Sequence, residues 1–516
     1  MIDEASATAN ETTRRAVQRG VRGLAVNAWS LAAAAAISGC ALVGPDFKTP
    51  EAPQAARYTE APLAAQTASS DSAAGAAQRF APGADIPPDW WELFRSEALG
   101  KLVRMAIADS PTLDAARAAL SQARENLKAE YSVLYPGADL SAGAGRQRVP
   151  GAASGQPDER GSEFTLYNAS VNVSYAIDVA GGARRGLEAL LAQIDYQKLQ
   201  LEAAYLTLAG NVVTAAVQEA SLRAQILATR EVVRTQEEIL GVVEKQFELG
   251  AVSRAEVLAQ RAQLAQTRTA LPPLEQALAQ TRNALAALAG RFPAEAQLPE
   301  SELAHMQLPQ ALPLSLPSEL ARQRPDIRAA EALLHQASAE IGVATAAQYP
   351  RLTLSAAYGS AAARPSDLFG ASAAAWSLGA GLLQPVFHAG KLEAERRAAV
   401  AAYEQALAQY RQTVLAGMRN VADVLEALKG DANLLQAQAE ADASATESLA
   451  LARRQFELGG ASYLVLLNAE RQAQQAKIGL VQAQAARYAD TAALYQALGG
   501  GWWRRRKDIE TGSVHR

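Results

Sequence analysis

The sequence predicts a mainly α-helical fold built from two similar halves, each carrying two short β-strands ahead of a very long helix. Three observations carry this. The pentamer QFELG occurs at Gln246 and again at Gln455, 209 positions later, each time at the end of a long proline-free stretch. Its surroundings repeat: PTLDAARAALSQARENLKAEYSVLYPGADLSAGAG from Pro111 matches PDIRAAEALLHQASAEIGVATAAQYPRLTLSAAYG from Pro325, at an offset of 214. The segments that follow each Tyr-Pro pair alternate polar and apolar residues with a period of two, the signature of strands. The offset falls from 214 to 209 between Gly145 and Gln246, a span that holds VPGAASGQPDERGSE, a Gly-, Pro- and charge-rich stretch that reads as a loop of variable length. A repeat of about 200 residues is too long for a short-unit solenoid and points to duplication of one structural unit.

The chain begins with a targeting pattern. Arg14, Arg15, Arg19 and Arg22 precede an apolar run from Leu24 to Ile37. That run is shorter than the roughly 20 residues a spanning helix needs, and a basic region before a short apolar core reads as a secretory signal. It ends in Ile37-Ser38-Gly39-Cys40, which resembles a bacterial lipobox, so residues 1–39 read as signal peptide and Cys40 as the lipid attachment site. Ala41, not an aspartate, follows the cysteine, and by analogy with lipoprotein sorting this favours the outer membrane. Residues 40–98 then form a lipid-anchored periplasmic segment. Several acyl chains on one cysteine anchor firmly, since each buried methylene contributes about 0.8 kcal/mol.

The strands come next, two in each half. In the first half, Tyr167, Ala169, Val171, Val173, Tyr175 and Ile177 alternate with Leu166, Asn168, Ser170, Asn172, Ser174, Ala176 and Asp178. Ala138, Leu140, Ala142 and Ala144 alternate with Asp139, Ser141, Gly143 and Gly145 in the same way. In the second half, Leu352, Leu354, Ala356 and Tyr358 form one such set, and Trp376, Leu378, Ala380 and Leu382 another. A sandwich would bury the apolar face, whereas a membrane barrel would turn it to lipid. Alternation alone does not separate the two, and the secretory signal favours the barrel. Four strands cannot close a barrel around a channel, and open edges are forbidden in lipid, so several copies must share it.

Each strand pair is followed by a helix free of proline, roughly 183–249 and 391–458, about 100 Å long at 1.5 Å per residue. Leu187, Leu191, Ile194, Leu201, Tyr205, Leu208, Val212 and Ala215 recur at three-then-four spacing, a coiled-coil seam. The partner helices, about 252–290 and 462–498, return after the QFELG turns. Gly250 and Gly459 suit the left-handed conformation that closes a helix, and Ser253 and Ser462 are N-cap candidates for the return helices. Pro272-Pro273 should break or kink the first return helix. Residues 291–317, with five prolines, read as an irregular connector between the repeats 99–290 and 318–500, and residues 501–516 as a tail.

Composition narrows the function. A net charge of −4 and 20% charged residues give no electrostatic case for nucleic acid. The short Trp502-Trp503-Arg504-Arg505-Arg506-Lys507 run reads as a solvated terminus. One cysteine and four histidines exclude an internal disulfide and leave no metal cluster to expect. With no phosphate loop and no catalytic constellation, neither an enzyme nor a cofactor is expected.

Motifs along the chain now resemble one family. They are Val43-Gly44-Pro45-Asp46-Phe47-Lys48-Thr49-Pro50, Trp90-Trp91-Glu92-Leu93-Phe94, Arg324-Pro325-Asp326-Ile327 and Leu383-Gln384-Pro385-Val386-Phe387. Ala461-Ser462-Tyr463-Leu464-Val465-Leu466-Leu467-Asn468-Ala469 and Ala497-Leu498-Gly499-Gly500-Gly501-Trp502 complete the set. Together they resemble the bacterial outer-membrane efflux proteins, TolC-like, in the lipoprotein branch that serves resistance-nodulation-division (RND) pumps. The resemblance implies a homotrimer in which four strands per chain make one shared 12-stranded outer-membrane β-barrel and the helices a long periplasmic α-barrel. It implies a periplasmic adaptor (membrane fusion) protein and an inner-membrane RND transporter as partners, with export of small molecules such as drugs or toxic compounds. The adaptor-docking role carries over to the tips at Leu249, Gly250, Ser253, Leu458, Gly459 and Ser462. Relatives narrow the tunnel entrance with aspartates just past the tip. Here the positions read Glu256, Val465 and Asn468, so the second half departs from the acidic pattern. The family's strand-end pattern Trp-Glu-Leu-Asp-Leu-Phe-Gly keeps only Asp178 and Gly181. A conduit for secreted polypeptides and a coiled-coil lipoprotein with no pore are the alternative readings.

Overall fold

The protein is described here by a computed structural model covering residues 42–150 and 161–504. The signal stretch and Cys40 lie outside the described residues. In chain order the elements of the first half are β1 (Arg79–Pro82), α1 (Glu97–Asp109), α2 (Pro111–Glu130), β2 (Gly137–Val149), β3 (Ser162–Ile177), α3 (Gly182–Glu248), α4 (Arg254–Arg268) and α5 (Leu271–Leu288). The second half contributes β4 (Ala311–Leu314), α6 (Pro317–Gln323), α7 (Pro325–Ala346), β5 (Arg351–Ala362), β6 (Ala374–Leu383), α8 (Lys391–Glu457) and α9 (Tyr463–Ala497). The chain divides into two compact units, one holding the four long strands and the other most of the helical length.

The strand-bearing unit contains one sheet of order β2-β3-β5-β6, antiparallel throughout. Each half supplies one hairpin, and the hairpins join through β3 and β5. At the end of β3 the chain turns into α3 through the two residues that keep the family pattern. Gly181 takes φ +77°, and the Asp178 carboxylate accepts from the Ala183 and Arg184 amides at 3.2 and 3.0 Å. These satisfy two of the orphan donors of a helix start.

The segment just after Cys40 is clamped in this unit. Val43 donates to the Ala180 carbonyl, and the buried Arg185 donates to the Val43 carbonyl and to the Asp46 and Glu188 carboxylates. Phe47 stacks on His335 at 4.4 Å between ring centroids. Gly44 is required here: its φ is +91°, and a side chain there would meet the Gly342 backbone at 2.5 Å.

The helical unit has a core that gathers Leu99, Leu102, Val213, Leu285, Leu320, Leu425 and Leu494. The Trp90–Phe94 motif is a short 3-10 turn inside it, with Trp90 stacked on Tyr495 at 5.5 Å. The expected seam of α3 differs from what forms. Leu191 is exposed, and along 208–220 the buried apolar side chains are Leu208, Ala209, Val212, Val213, Ala216, Val217 and Ala220. Two adjacent stripes are buried there, wider than a strict a/d seam, because the helix packs on more than one neighbour. The first return helix breaks between Arg268 and Leu271, and Pro272-Pro273 sit in the first turn of α5, where a missing N–H is harmless. The connector 291–317 also holds more order than its prolines suggest. Its β4 pairs in parallel with β1, with Arg79 opposite Ala311.

Candidate functional site

The register of the sheet sorts its side chains. Leu140, Val171, Tyr358 and Trp376 are direct cross-strand neighbours, and so are Ala138, Val173, Ala356 and Leu378. Successive residues of a strand point to opposite faces, so all four alternating apolar sets share one face. The other face carries Ser141, Ser170, Asn172, Ser355 and Ser377. Ser141 and Ser170 hydroxyls lie 3.0 Å apart, and Asn172 donates to Ser141 at 2.9 Å.

Much of the apolar face is uncovered. Leu378 is 76% exposed, and Leu140, Trp376 and Leu382 are similarly bare. An uncovered apolar surface of this size is unstable in water and marks contact with an apolar medium. A sandwich would have buried it. Among the described residues, β2 and β6 each have a neighbour on one side only. Among the described residues no helix is long and apolar enough to cross a membrane, and the sheet is the element whose surface suits lipid.

The two hairpin tips lie in the helical unit. Both QFELG copies end their helix in the same way. Gly250 donates to the Phe247 carbonyl and Ala251 to that of Gln246, and Gly459 and Gly460 repeat this with Phe456 and Gln455. This is the Schellman pattern, which needs a left-handed residue, and the glycines have φ +75° and +77°. It leaves Leu249 and Leu458 84% and 79% exposed. Behind them Ile239, Val243, Val257, Phe456, Tyr463 and Leu466 form a small core of their own.

The tips differ at their return helices. Ser253 accepts from the Glu256 amide, and the Glu256 carboxylate accepts from the Ser253 amide at 2.6 Å, a full capping box. Ser462 has the extended backbone of an N-cap, but its side chain makes no capping bond. The residue three further on is Val465, which cannot reach back. Val465 and Asn468 are exposed on the same side of α9, whereas Tyr463, Leu466 and Leu467 are buried. Ser253→Ala is therefore expected to cost about 1 kcal/mol at the first tip. Ser462→Ala should cost no more than a few tenths. Hydrogen exchange at the amides of 254–257 and 463–466 measures both.

Several buried polar residues escaped the sequence reading. Tyr463 donates to the Gln260 side chain at 2.7 Å, and burial pushes its phenol up to about 12. Arg487, 1% exposed, donates to the Ala74 and Ala76 carbonyls, to Thr67 and to Gln78, holding the N-terminal segment on α9. An arginine in an alanine-rich helix looks solvated in sequence, and only the returning segment 67–78 makes it a buried cation.

The comparisons with known proteins agree with this arrangement. The family model described as outer membrane efflux protein matches residues 102–291 and 316–500. The chain is 35% identical over 422 residues to the pyoverdine export outer membrane protein OpmQ of Pseudomonas putida, covering 80% of this chain and 88% of that one. It is 30% identical over 469 residues to the toluene efflux pump outer membrane protein TtgC of Pseudomonas putida, covering 90% and 94%. The solved outer-membrane channel OprN superposes with a TM-score of 0.80 at 28% identity, covering 90% of this chain and 100% of that one. An apolar-faced sheet, two helical hairpins and a family match over 102–291 and 316–500 lead to one conclusion: the chain belongs to the outer membrane efflux protein family.

Proposed function

We propose that this chain is the outer-membrane channel of a tripartite efflux pump. Three copies close a 12-stranded barrel from four strands each, and the long helices continue as a periplasmic tunnel. The observation that carries this reading is the sheet, whose apolar face is bare and whose two edges each lack a neighbour. Lipid accepts the apolar face but not the unpaired edges, so a lone chain does not suffice. The polar face then lines the lumen. The conduit is passive, with energy supplied by an inner-membrane RND transporter. The relatives' names, pyoverdine export and toluene efflux, support small molecules as cargo.

The remaining site assignments belong to the same proposal. Leu249, Gly250, Ser253, Leu458, Gly459 and Ser462 dock the periplasmic adaptor, a role supported by the exposed leucines at both tips. Glu256, Val465 and Asn468 line the entrance. With Glu256 engaged in its own helix cap and no carboxylate at 465 or 468, the acidic character of that entrance rests on Glu256 alone. Cys40 carries the lipid, supported by the clamp that starts at Val43, which leaves only a short tether.

The reading is tested on detergent-purified full-length protein. Light scattering is expected to give the mass of three chains, and planar bilayers should conduct when it is added. A stable single subunit, or oligomers that pass no current, would overturn the channel assignment.

A further inference from the structure

Directly behind the second tip, three helices of the helical unit line a partly open cavity of about 210 Å³. Glu231 and Gln236 of α3, Asp442 and Thr446 of α8, and Glu470 and Lys477 of α9 stand on its wall. Glu470 is 3% exposed and Gln236 1%, and no side-chain polar atom of either has a hydrogen-bond partner. The buried Asp442 Oδ1 is also unpartnered. Buried polar groups in folded proteins are almost always satisfied, and an orphan requires an explanation. Here several orphans share one cavity.

Their chemistry is lopsided. The unpartnered acceptors are both Glu470 oxygens, Asp442 Oδ1 and Gln236 Oε1, against one unpartnered donor, Gln236 Nε2. Gln260 stands close enough to Glu470 to draw on its carboxyl, but short of a formed hydrogen bond, and the groups around Glu470 make their bonds to others. Gln260 accepts from Tyr463 and donates to the Gln236 carbonyl, Arg471 donates to Gln263, and Arg453 pairs with Glu238 and Glu457. The cavity is far larger than one water requires. Among the described residues no cluster of three or more His, Cys, Asp and Glu could hold a metal ion. We propose that this cavity is a binding site for a small organic cation with several N–H donors, an alkylammonium or guanidinium group, held by Glu470, Asp442 and Gln236. Its bound form would tie α3 to α8 and α9 just behind the tips.

Burial pushes the Glu470 carboxyl up to about 7, against the pull of Gln260, Arg453 and Arg471. A bound cation favours the ionised form, so binding releases a proton and tightens as pH rises through that range. Glu231 and Asp442 add negative potential, and Lys477 at the exposed rim opposes it.

The test is calorimetry on the full-length protein with 1,4-diaminobutane and methylguanidinium as probes, at pH 6 and pH 8. At least one probe should bind saturably at one site per chain, more tightly at pH 8. Glu470→Gln should weaken it tenfold or more, and the half-buried Asp442→Asn, a milder change, severalfold. No saturable binding to the wild type overturns the proposal, as does binding that both variants leave unchanged. Binding that appears only in Lys477→Ala would also overturn it, because the chain's own ammonium would then be the occupant.

Discussion

Leu378→Arg is expected to stop the protein from assembling in the outer membrane, while Ser377→Arg, one position away, leaves assembly intact. Leu378 lies in the cross-strand row with Ala138, Val173 and Ala356, well inside the apolar face, and Ser377 belongs to the opposite face. An arginine on the lipid side of a barrel costs about 2–4 kcal/mol at the bilayer midplane, and in a shared barrel every copy adds that cost. On the face proposed to line the lumen the same charge stays in water. Outer-membrane fractions run unheated on a gel, at matched synthesis levels, would report the oligomer. Equal assembly of the two variants would show that the apolar face does not meet lipid.

Arg487→Met is expected to be the most damaging single change in the helical unit. The guanidinium is buried, and its hydrogen bonds reach the Ala74 and Ala76 carbonyls, Thr67 and Gln78. Gln78 is itself tied to Pro309 and Thr491, so the network joins the N-terminal segment, the connector and α9. Asp431 helps to offset the buried charge. Removing one partner of such a buried network costs about 3–5 kcal/mol, because the remaining groups are left without water or protein partners. Thermal unfolding should shift down, and limited proteolysis should open new sites between Thr67 and Gln78. Arg487→Lys should recover only part of the loss, since one ammonium cannot reproduce the fork of donors. A wild-type cleavage pattern in Arg487→Met would remove the network's structural role.

Much of this architecture could be read from the residues because it rests on periodicity. The period of two at Tyr167–Ile177 and Leu352–Tyr358 located strands that form, and the repeated QFELG located two helix ends that close through glycine. The strand faces were legible, but their meeting on one face was not, since register is a long-range property. The four-residue strands β1 and β4 are too short to show any period, and each contains a proline. Capping at Ser253 and its absence at Ser462 turn on one residue, Glu256 against Val465. Glu470, Asp442, Gln236 and Arg487 look like solvated helix positions until their neighbours are known.

The two long helices α3 and α8 have the same length, 67 residues each, although the stretch from β2 to β3 differs in length from that between β5 and β6. Equal length acts as a ruler. One residue inserted into either helix would advance its end by 1.5 Å and turn every side chain beyond it by about 100°, taking Val243 or Phe456 out of the tip core they share. Insertions that survive in these helices should therefore come in sevens and in both helices, whereas sequence outside them carries no such constraint.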